Sequence, residues 1–348
     1  MFQDIALNDM LTLRKNGAHT LIDVRSPKEF HDATIPGSIN IPVFDNDERR
    51  EVGTIYKQVG PEEARERGLE IFSRKLPKFI AACKKIDTPM TVFCWRGGMR
   101  SKAAATVLEL MGIHASRLTG GVRAYRHWVV DELAKESFPP DLYVLNGYTG
   151  SGKTTLLNRL EKMGYPVIDL EGMAGHRGSI FGQIGQNPSN QKKFDSLLVD
   201  AMKRYQNEPF VFIEGESKRI GRAVLPEFLY NKKENGLQLF IDLPMAERIR
   251  HILDDYQPWN YPGQINEAFQ HIKKRIHTPM AKQIDEYLRN GRYTPAVKLL
   301  LEYYYDPRYE YAAKDYPDSQ KVMIHAKHTE EALQQILNIV EHPPSALG

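Results

Sequence analysis

Residues 142–160 have the sequence LYVLNGYTGSGKTTLLNRL, in which an apolar run is followed by a glycine-rich turn and a helical pattern. The turn matches G-x-x-x-x-G-K-[ST] in full. Glycines let backbone N–H groups point inward at a phosphate, and the following helix directs its positive N-terminus at the same anion. The stretch therefore predicts a strand, a phosphate-binding loop and a helix, which is an α/β arrangement.

Several side chains are candidates for this phosphate site. Lys153 supplies a positive charge to a terminal phosphate, and the hydroxyl of Thr154 is a candidate Mg²⁺ ligand. Asp169 and Glu214 end the next two predicted strands, although many ATPases have Asp where Glu214 stands. The loop residues that we expect to contact phosphate are Gly147, Gly150, Ser151, Gly152, Lys153, Thr154 and Thr155.

A second candidate anion site lies about fifty residues earlier, in VFCWRGGMRS at residues 92–101. Cys94 ends a predicted strand, and a helix is predicted to begin near Ser101. Backbone N–H groups, the helix N-terminus and two arginines favour the thiolate form of this cysteine. Cys83 lies in an apolar helical context, where a buried filler is expected. The loop residues that we expect around an anion are Trp95, Arg96, Gly97, Gly98, Met99 and Arg100.

Bulk composition favours a two-domain globular protein. The chain has 348 residues, 41% hydrophobic and 26% charged, with a formal net charge of +3 that indicates no overall basic character. Two cysteines provide no disulfide framework and suit a reducing compartment. Since no secretory signal or membrane-spanning run is visible, we expect a cytoplasmic protein. The absence of a C-x-x-C pair or a His/Cys cluster predicts no structural zinc.

Strands alternate with helical patterns in two separate stretches, which predicts two parallel-sheet α/β domains. The proline-containing sequence ESFPPD at residues 136–141 is the predicted linker. Residues 1–135 form the predicted first domain, and residues 142–348 form the second. Helical periodicity dominates from residue 245, apart from a strand predicted over residues 321–326. Residues 342–348 are predicted to be a loose tail.

The first domain resembles a rhodanese domain. The resemblance rests on LIDVRSPKEFHDATIPGSINIP at 21–42, FCWRGGMRS at 93–101 and LTGGVRAYRHW at 118–128. It implies that Cys94 carries the transferred atom, as rhodaneses carry sulfur. The spacing from Cys94 to Arg100 is C-x₅-R, one residue longer than is usual in sulfurtransferases and similar to rhodanese-like dual-specificity phosphatases. This departure favours a tetrahedral, phosphorus-containing donor over thiosulfate.

The order of a rhodanese domain followed by a P-loop domain resembles the tRNA 2-selenouridine synthase family. Further matching segments are EVGTIYKQVGPEEARERGLE at 51–70, DLEGMAGHRGSIFG at 169–182 and FIEGESKRIG at 212–221. The resemblance implies a P-loop kinase-like second domain and the replacement of sulfur by selenium in 2-thiouridine at the tRNA wobble position. It implies an S-geranyl intermediate, geranyl diphosphate and selenophosphate as substrates, no tightly bound cofactor, and a transient contact with the enzyme that makes selenophosphate.

The implied chemistry assigns roles to both loops. Cys94 would take selenium as a selenenyl sulfide, with Arg96 and Arg100 holding phosphate, and the P-loop would hold the diphosphate, with Lys153 stabilising it as it leaves. Supporting candidates are Asp169, Glu214, His176, Arg177 and Arg248. Candidate tRNA contacts are Lys273, Lys274, Arg275, Arg289 and Arg292. Arg248 and Arg250 follow a predicted strand as in small-molecule kinases, which would place them near the phosphates. These two arginines and the tRNA candidates have a second interpretation as solvated helix faces, and His176 as an ordinary loop histidine.

Two other functions fit the same motifs. A P-loop kinase or NTPase fused to a rhodanese-like phosphatase is permitted by Lys153, Thr154 and C-x₅-R, and it predicts nucleotide turnover independent of tRNA. A persulfide carrier docking onto a thiolation complex predicts sulfur on Cys94 and a merely structural P-loop. The glutamate at position 214 in place of the usual Asp weakens the NTPase interpretation.

Overall fold

The computed structural model describes residues 2–15, 17, 19–308 and 316–342. The chain forms two compact units. The first holds Met1–Lys135 together with Asp195–Asp200, and the second holds the rest of the chain. Most of the predicted tail, residues 343–348, lies outside the described residues.

The first unit is built on a five-stranded sheet with strand order β1-β5-β4-β2-β3, and every pairing is parallel. Its strands are β1 (Asp4–Ile5), β2 (Thr20–Asp23), β3 (Ile39–Asn40), β4 (Met90–Phe93) and β5 (Ala115–Leu118). All four residues of β4 are buried, as expected for a central strand covered on both faces. Cys94 follows β4 directly, so the cysteine loop leaves the carboxyl end of the middle strand.

The described residues up to 135 form, besides this sheet, the helices α1 (Leu7–Lys15), α2 (Pro27–Asp32), α3 (Asn46–Gln58), α4 (Pro61–Cys83), α5 (Met99–Leu110) and α6 (Gly121–Leu133). Helix α5 begins two residues earlier than the start predicted near Ser101. Helix α3 has no predicted counterpart because its sequence, NDERREVGTIYKQ, lacks an apolar stripe and buries no residue. A capping box between Asp45 and Glu48 fixes its start.

The second unit is built on a parallel sheet with strand order β12-β11-β6-β8-β7. Its strands are β6 (Asp141–Gly147), β7 (Val167–Ile168), β8 (Phe210–Glu214), β11 (Leu237–Asp242) and β12 (Lys321–His325). Strands β9 (Arg219–Ile220) and β10 (Ala223–Val224) form a separate antiparallel pair. Asp141, the last residue of the predicted linker, is the first residue of β6. The glycine-rich loop leaves the carboxyl end of β6, where open α/β sheets bind ligands.

The helices of the remaining described chain are α7 (Lys153–Lys162), α8 (Leu170–Ala174), α9 (Gln191–Tyr205), α10 (Glu227–Glu234), α11 (Met245–Tyr256), α12 (Pro262–Ile272), α13 (Thr278–Arg289), α14 (Tyr293–Leu300) and α15 (Thr329–Glu341). All belong to the second unit except the middle of α9, Asp195–Asp200, which is grouped with the first. Helices α12 to α14 bury a core that includes Phe269, Ile272, Ile284 and Leu300. The predicted fold class, two parallel-sheet α/β domains with a helical C-terminal part, is confirmed.

Candidate active sites

The glycine-rich loop has the backbone geometry of a phosphate cradle. Gly147 has φ 144°, and a Cβ there would lie 2.5 Å from the carbonyl oxygen of Ile241, so only glycine fits. Helix α7 starts at Lys153, whose Nζ donates to the Gly147 carbonyl oxygen at 3.3 Å. The buried hydroxyl of Ser151 has no hydrogen-bond partner within the described part of the chain. The loop therefore presents a helix N-terminus and a cation to one space.

That space is a cavity of about 320 Å³ in the second unit, and we call it the phosphate cavity after the predicted ligand of the loop. Every predicted P-loop residue from Gly150 to Thr155 lines it, together with Asp169, His176 and Arg177. Glu171 and Glu216, which sequence reasoning had not singled out, also line it. Asp255 lines it as well, so the cavity combines an anion cradle with four carboxylates, an arrangement suited to a phosphate group bound together with a cation.

Glu171 links the loop to the neighbouring strand. The Thr154 hydroxyl donates to Glu171 Oε2 at 3.2 Å, and the Glu171 backbone N–H donates to Glu214 Oε2 at 2.9 Å. Burial, together with the charge of Glu216, raises the pKa of Glu171 to about 8. Burial and the nearby Asp169 also raise the pKa of Glu214. A cation near these acids would offset the cost of their ionisation.

The described residues contain no cluster of three or more His, Cys, Asp or Glu arranged to hold a metal ion by themselves. Mg²⁺ is ordinarily held by one or two carboxylates together with substrate phosphates. Thr154 and Glu171, which are already hydrogen-bonded to each other, fit that role once a phosphate group supplies further oxygens. Asp169 contributes differently, because its carboxylate caps α8 by accepting the Gly172 N–H at 2.7 Å.

Helix α11 supports the loop from one side. Arg248 is buried, donates from Nε to the Thr149 carbonyl oxygen at 3.0 Å and forms a bidentate pair with Asp306. His251 lies 2.9 Å from the Gly150 carbonyl oxygen through Nδ1. The interpretation of Arg248 as a solvated helix residue is therefore wrong, because its guanidinium is committed to the loop backbone and to Asp306.

Arg250, in contrast, fits the interpretation as a solvated helix residue, since its side chain is exposed and pairs with Glu247 on the same helix.

His251 could have been found in the sequence by its spacing. His251, Ile252 and Tyr256 stand three, four and eight positions after Arg248, which places all four on one face of α11. Ile252 and Tyr256 both line the phosphate cavity.

His176 and Arg177 lie at the rim of this cavity. Burial lowers the pKa of His176, and its Nδ1 has no hydrogen-bond partner among the described residues. The guanidinium of Arg177 stacks 4.8 Å from the ring centre of Tyr256 and donates to the Ile184 carbonyl oxygen at 2.9 Å. Arg177 thereby holds Tyr256 in place beside the loop.

The cysteine loop of the first unit curls over a buried thiol. Cys94 is 3% exposed, and its Sγ lies 3.2 Å from the Ser101 hydroxyl, which sequence reasoning had not singled out. The closing loop holds this turn, because the Val122 N–H donates to the Cys94 carbonyl oxygen at 3.0 Å. A Cβ on Gly121 would lie 2.1 Å from that oxygen, so Gly121 permits the close approach.

The charged members of the cysteine loop differ in their surroundings. Arg96 is exposed, as are Trp95 and Met99. Arg100 donates through both terminal nitrogens to Glu29, at 2.6 and 3.1 Å. An anion at Cys94 would therefore compete with Glu29 for the Arg100 guanidinium.

The residues predicted to contact tRNA fall into two groups. Lys273, in the turn after α12, pairs with Asp285 of α13 at 3.0 Å, whereas the exposed Arg289 pairs with the same carboxylate at 2.8 Å within α13. Lys274 and Arg275 are exposed in a short 3₁₀ turn between those helices. Arg292 stacks over the ring of Tyr287. Arg289 and Arg292 are exposed as well, but among the described residues only Lys274 and Arg275 of these candidates have no ion pair or ring contact, which makes them the better candidates for phosphate contacts.

The two loops and the sheets that carry them define a class of protein in which a rhodanese-like domain precedes a P-loop domain. The rhodanese-like family model matches residues 7–127, and the model described as the tRNA 2-selenouridine synthase AAA domain matches residues 140–342. No helix in the described ranges has the length and apolar character needed to cross a membrane.

Similar proteins agree with both domain matches. A tRNA 2-selenouridine synthase of Nitrosomonas europaea is 33% identical over 290 residues, covering 81% of this chain and 74% of that protein. One of Aeromonas salmonicida is 32% identical over 292 residues, covering 77% of each chain. The chain belongs to the tRNA 2-selenouridine synthase family.

Proposed function

We propose that this protein converts 2-thiouridine at the wobble position of tRNA into 2-selenouridine through an S-geranyl intermediate, using geranyl diphosphate and selenophosphate. The observation that carries the proposal is the presence of two loops of different chemistry that are each suited to an anion, one with a nucleophile and one without. Cys94 stands at the first, and Lys153 and Thr154 stand at the second. The proposed substrates, tRNA and two phosphorylated donors, favour a cytoplasmic location.

The first step is an alkylation. The sulfur of 2-thiouridine attacks C1 of the geranyl chain, the C1–O bond breaks, and diphosphate leaves with the electron pair. Loss of the N3 proton then leaves a neutral thioether. Diphosphate is proposed to lie on the P-loop, where Lys153 and the N-terminus of α7 stabilise the charge that develops on it.

Mg²⁺, when bound, would neutralise part of the diphosphate charge. Thr154 and Glu171 are the residues proposed to hold it, because their oxygens lie together in the phosphate cavity. Glu214 orients Glu171 by accepting its backbone N–H. Binding of a cation and a diphosphate by these residues requires no ATP, so we propose that the reaction proceeds without a nucleotide.

The second step delivers selenium at C2 while the geranylthiolate leaves and takes up a proton. Electron balance decides how Cys94 acts. Attack of its sulfur on selenium would leave phosphorus as phosphite and would require a reductant later. Attack on phosphorus breaks the P–Se bond toward selenium, releases selenide and forms S-phosphocysteine, which water hydrolyses to phosphate.

We favour attack on phosphorus, which needs no further redox partner and replaces the selenenyl sulfide expected from the sequence. The C-x₅-R loop suits the tetrahedral phosphoryl group, and Ser101, 3.2 Å from the Cys94 sulfur, can donate to the thiolate when it departs. Phosphorus NMR of the spent donor distinguishes the two routes, since one yields phosphate and the other phosphite.

The test of the overall function uses purified protein and an anticodon stem-loop RNA that contains 2-thiouridine. Geranyl diphosphate is added first and selenophosphate second, without nucleotide, and the RNA mass is followed. A geranyl adduct that becomes selenouridine is the expected result. Unchanged RNA together with RNA-independent ATP hydrolysis would favour the kinase or NTPase alternative.

A further inference from the structure

A second cavity adjoins the phosphate cavity of the P-loop unit. Its lining is almost entirely apolar and comes from helices α11 to α14 and the segment around Phe181. The residues that line both cavities are Thr149, Ser179, Ile252 and Tyr256. This apolar slot has a volume of about 50 Å³, so a ligand whose phosphate rests on Lys153 can continue into it only when the lining side chains move apart.

The slot is part of the helical core of this unit. Phe181, Ile265, Leu288 and Leu300 line it, and all four are buried members of the core shared by α12, α13 and α14. Val297 lies on the same wall, and Ile252 faces it from α11. Binding of a hydrocarbon chain in an apolar cleft of this kind is favourable, because apolar surface is removed from water.

The polar groups at the entrance are already engaged with each other. The Ser179 hydroxyl and the Tyr256 hydroxyl are 2.9 Å apart, and Tyr256 is further held by the stacked guanidinium of Arg177. A purine would place its ring nitrogens against this apolar lining. The hydroxyls of Ser179 and Tyr256 are hydrogen-bonded to each other and therefore do not satisfy those nitrogens. A hydrocarbon chain incurs no such cost.

We propose that the slot lined by Ile252, Val297 and Leu300 binds the prenyl tail of the allylic diphosphate whose head group lies on the P-loop. This inference rests on the proposed function, because it presupposes that the P-loop holds an allylic diphosphate. It makes the helical C-terminal part the element that selects the donor by chain length. A donor shorter by one prenyl unit should bind roughly 10- to 100-fold more weakly than geranyl diphosphate.

The experiment measures the binding of geranyl diphosphate, dimethylallyl diphosphate and inorganic pyrophosphate to the full chain by calorimetry. Val297→Trp fills the slot, and Val297→Ala is the matched control that keeps it open and apolar. The expected result is at least a tenfold loss of geranyl diphosphate affinity in Val297→Trp, little loss in Val297→Ala, and pyrophosphate binding retained by both. Retained pyrophosphate binding and an unchanged Tm show that Val297→Trp is folded.

Two kinds of failure can be told apart. If Lys153→Ala weakens geranyl diphosphate binding but chain length and Val297→Trp have no effect, the slot assignment is overturned and the proposed function stands. If geranyl diphosphate does not bind, or binds equally well to Lys153→Ala, the proposed use of the P-loop is overturned as well. Tighter binding of ATP than of geranyl diphosphate, abolished in Val297→Trp, would assign the slot to a nucleotide instead.

Discussion

Arg100 and Glu29 form a two-point ion pair in the first unit, with Nη1–Oε2 and Nη2–Oε1 distances of 2.6 and 3.1 Å. The two residues are 71 positions apart in the chain. Glu29 also closes the capping box of α2 by accepting the Ser26 N–H. The arginine of C-x₅-R is therefore held beside the cysteine loop by a carboxylate that an incoming anion would have to displace.

Replacing Glu29 with Gln should strengthen anion binding at the cysteine loop and weaken the fold. Arg100 loses a charged partner, so selenophosphate should saturate the enzyme at a lower concentration. Removal of the charged hydrogen bonds should lower the free energy of unfolding by about 1–2 kcal/mol near neutral pH. Steady-state kinetics and denaturant unfolding measure the two effects, and a raised KM for selenophosphate would contradict this role of Glu29.

The same pair predicts a pH dependence of stability. Burial acts to raise the pKa of Glu29, but the hydrogen bond and charge of Arg100, with Ser26 and Arg49, lower it below its ordinary value of 4.5. A carboxyl with a lowered folded-state pKa contributes stability above that ordinary value and loses it as pH falls through the folded pKa. The stability difference between wild type and Glu29→Gln should therefore shrink below about pH 4.5. A constant difference would contradict the ion pair.

Replacement of the two cysteines should have different effects on the reaction. Cys94→Ala should abolish selenation while leaving geranylation intact, so S-geranyl RNA should accumulate. Cys83→Ala is the matched control, because burial raises the pKa of Cys83 to about 11 and the residue packs in the core. Both products are followed by RNA mass. Selenation by Cys94→Ala at the wild-type rate would remove the nucleophile from the mechanism.

Glu171→Gln should stabilise the protein and weaken donor binding. In metal-free buffer near pH 7, Glu171 stays largely protonated in the folded protein but ionises on unfolding, so Gln, which cannot ionise, should raise the free energy of unfolding by about 1–2 kcal/mol. In Mg²⁺ the same change should lower geranyl diphosphate affinity, because a ligand oxygen no longer carries charge. Glu161→Gln, at an exposed position of α7, is the control. Unchanged Mg²⁺-dependent affinity would exclude Glu171 from the cation site.

The exposed pair Lys274 and Arg275 should contribute to tRNA affinity through phosphates. Replacing both with Ala should reduce the slope of log K against log salt concentration by about 1 for each phosphate that the two side chains neutralise. Lys84→Ala with Lys85→Ala provides a control that removes the same charge from exposed positions of the first unit. An equal change in slope for both double variants would indicate only a general charge effect.

Sequence alone was sufficient for features whose residues are contiguous. The P-loop and the cysteine loop each combine a strand, a turn and a helix start, so their motifs predicted the local structure of both loops, while anion binding at either loop stays a prediction. Glu171 was not found, because its importance arises from a hydrogen bond to Thr154 that only the folded chain brings about. His251 was not found because its spacing from Arg248 on one face of α11 was not used. Glu29, the partner of Arg100, was not predicted either, because the sequence does not indicate which charged residues far apart in the chain form ion pairs.

The central claim is that the P-loop serves geranylation and the cysteine loop serves selenation. It is tested most directly by supplying Lys153→Ala with RNA that already carries S-geranyl-2-thiouridine. Selenophosphate is added, and the rate of 2-selenouridine formation is measured by RNA mass against wild type. The two-site mechanism predicts a near wild-type rate, although the same variant fails to geranylate 2-thiouridine RNA. Loss of selenation from the pre-geranylated RNA would contradict it, because the P-loop would then be required for both steps.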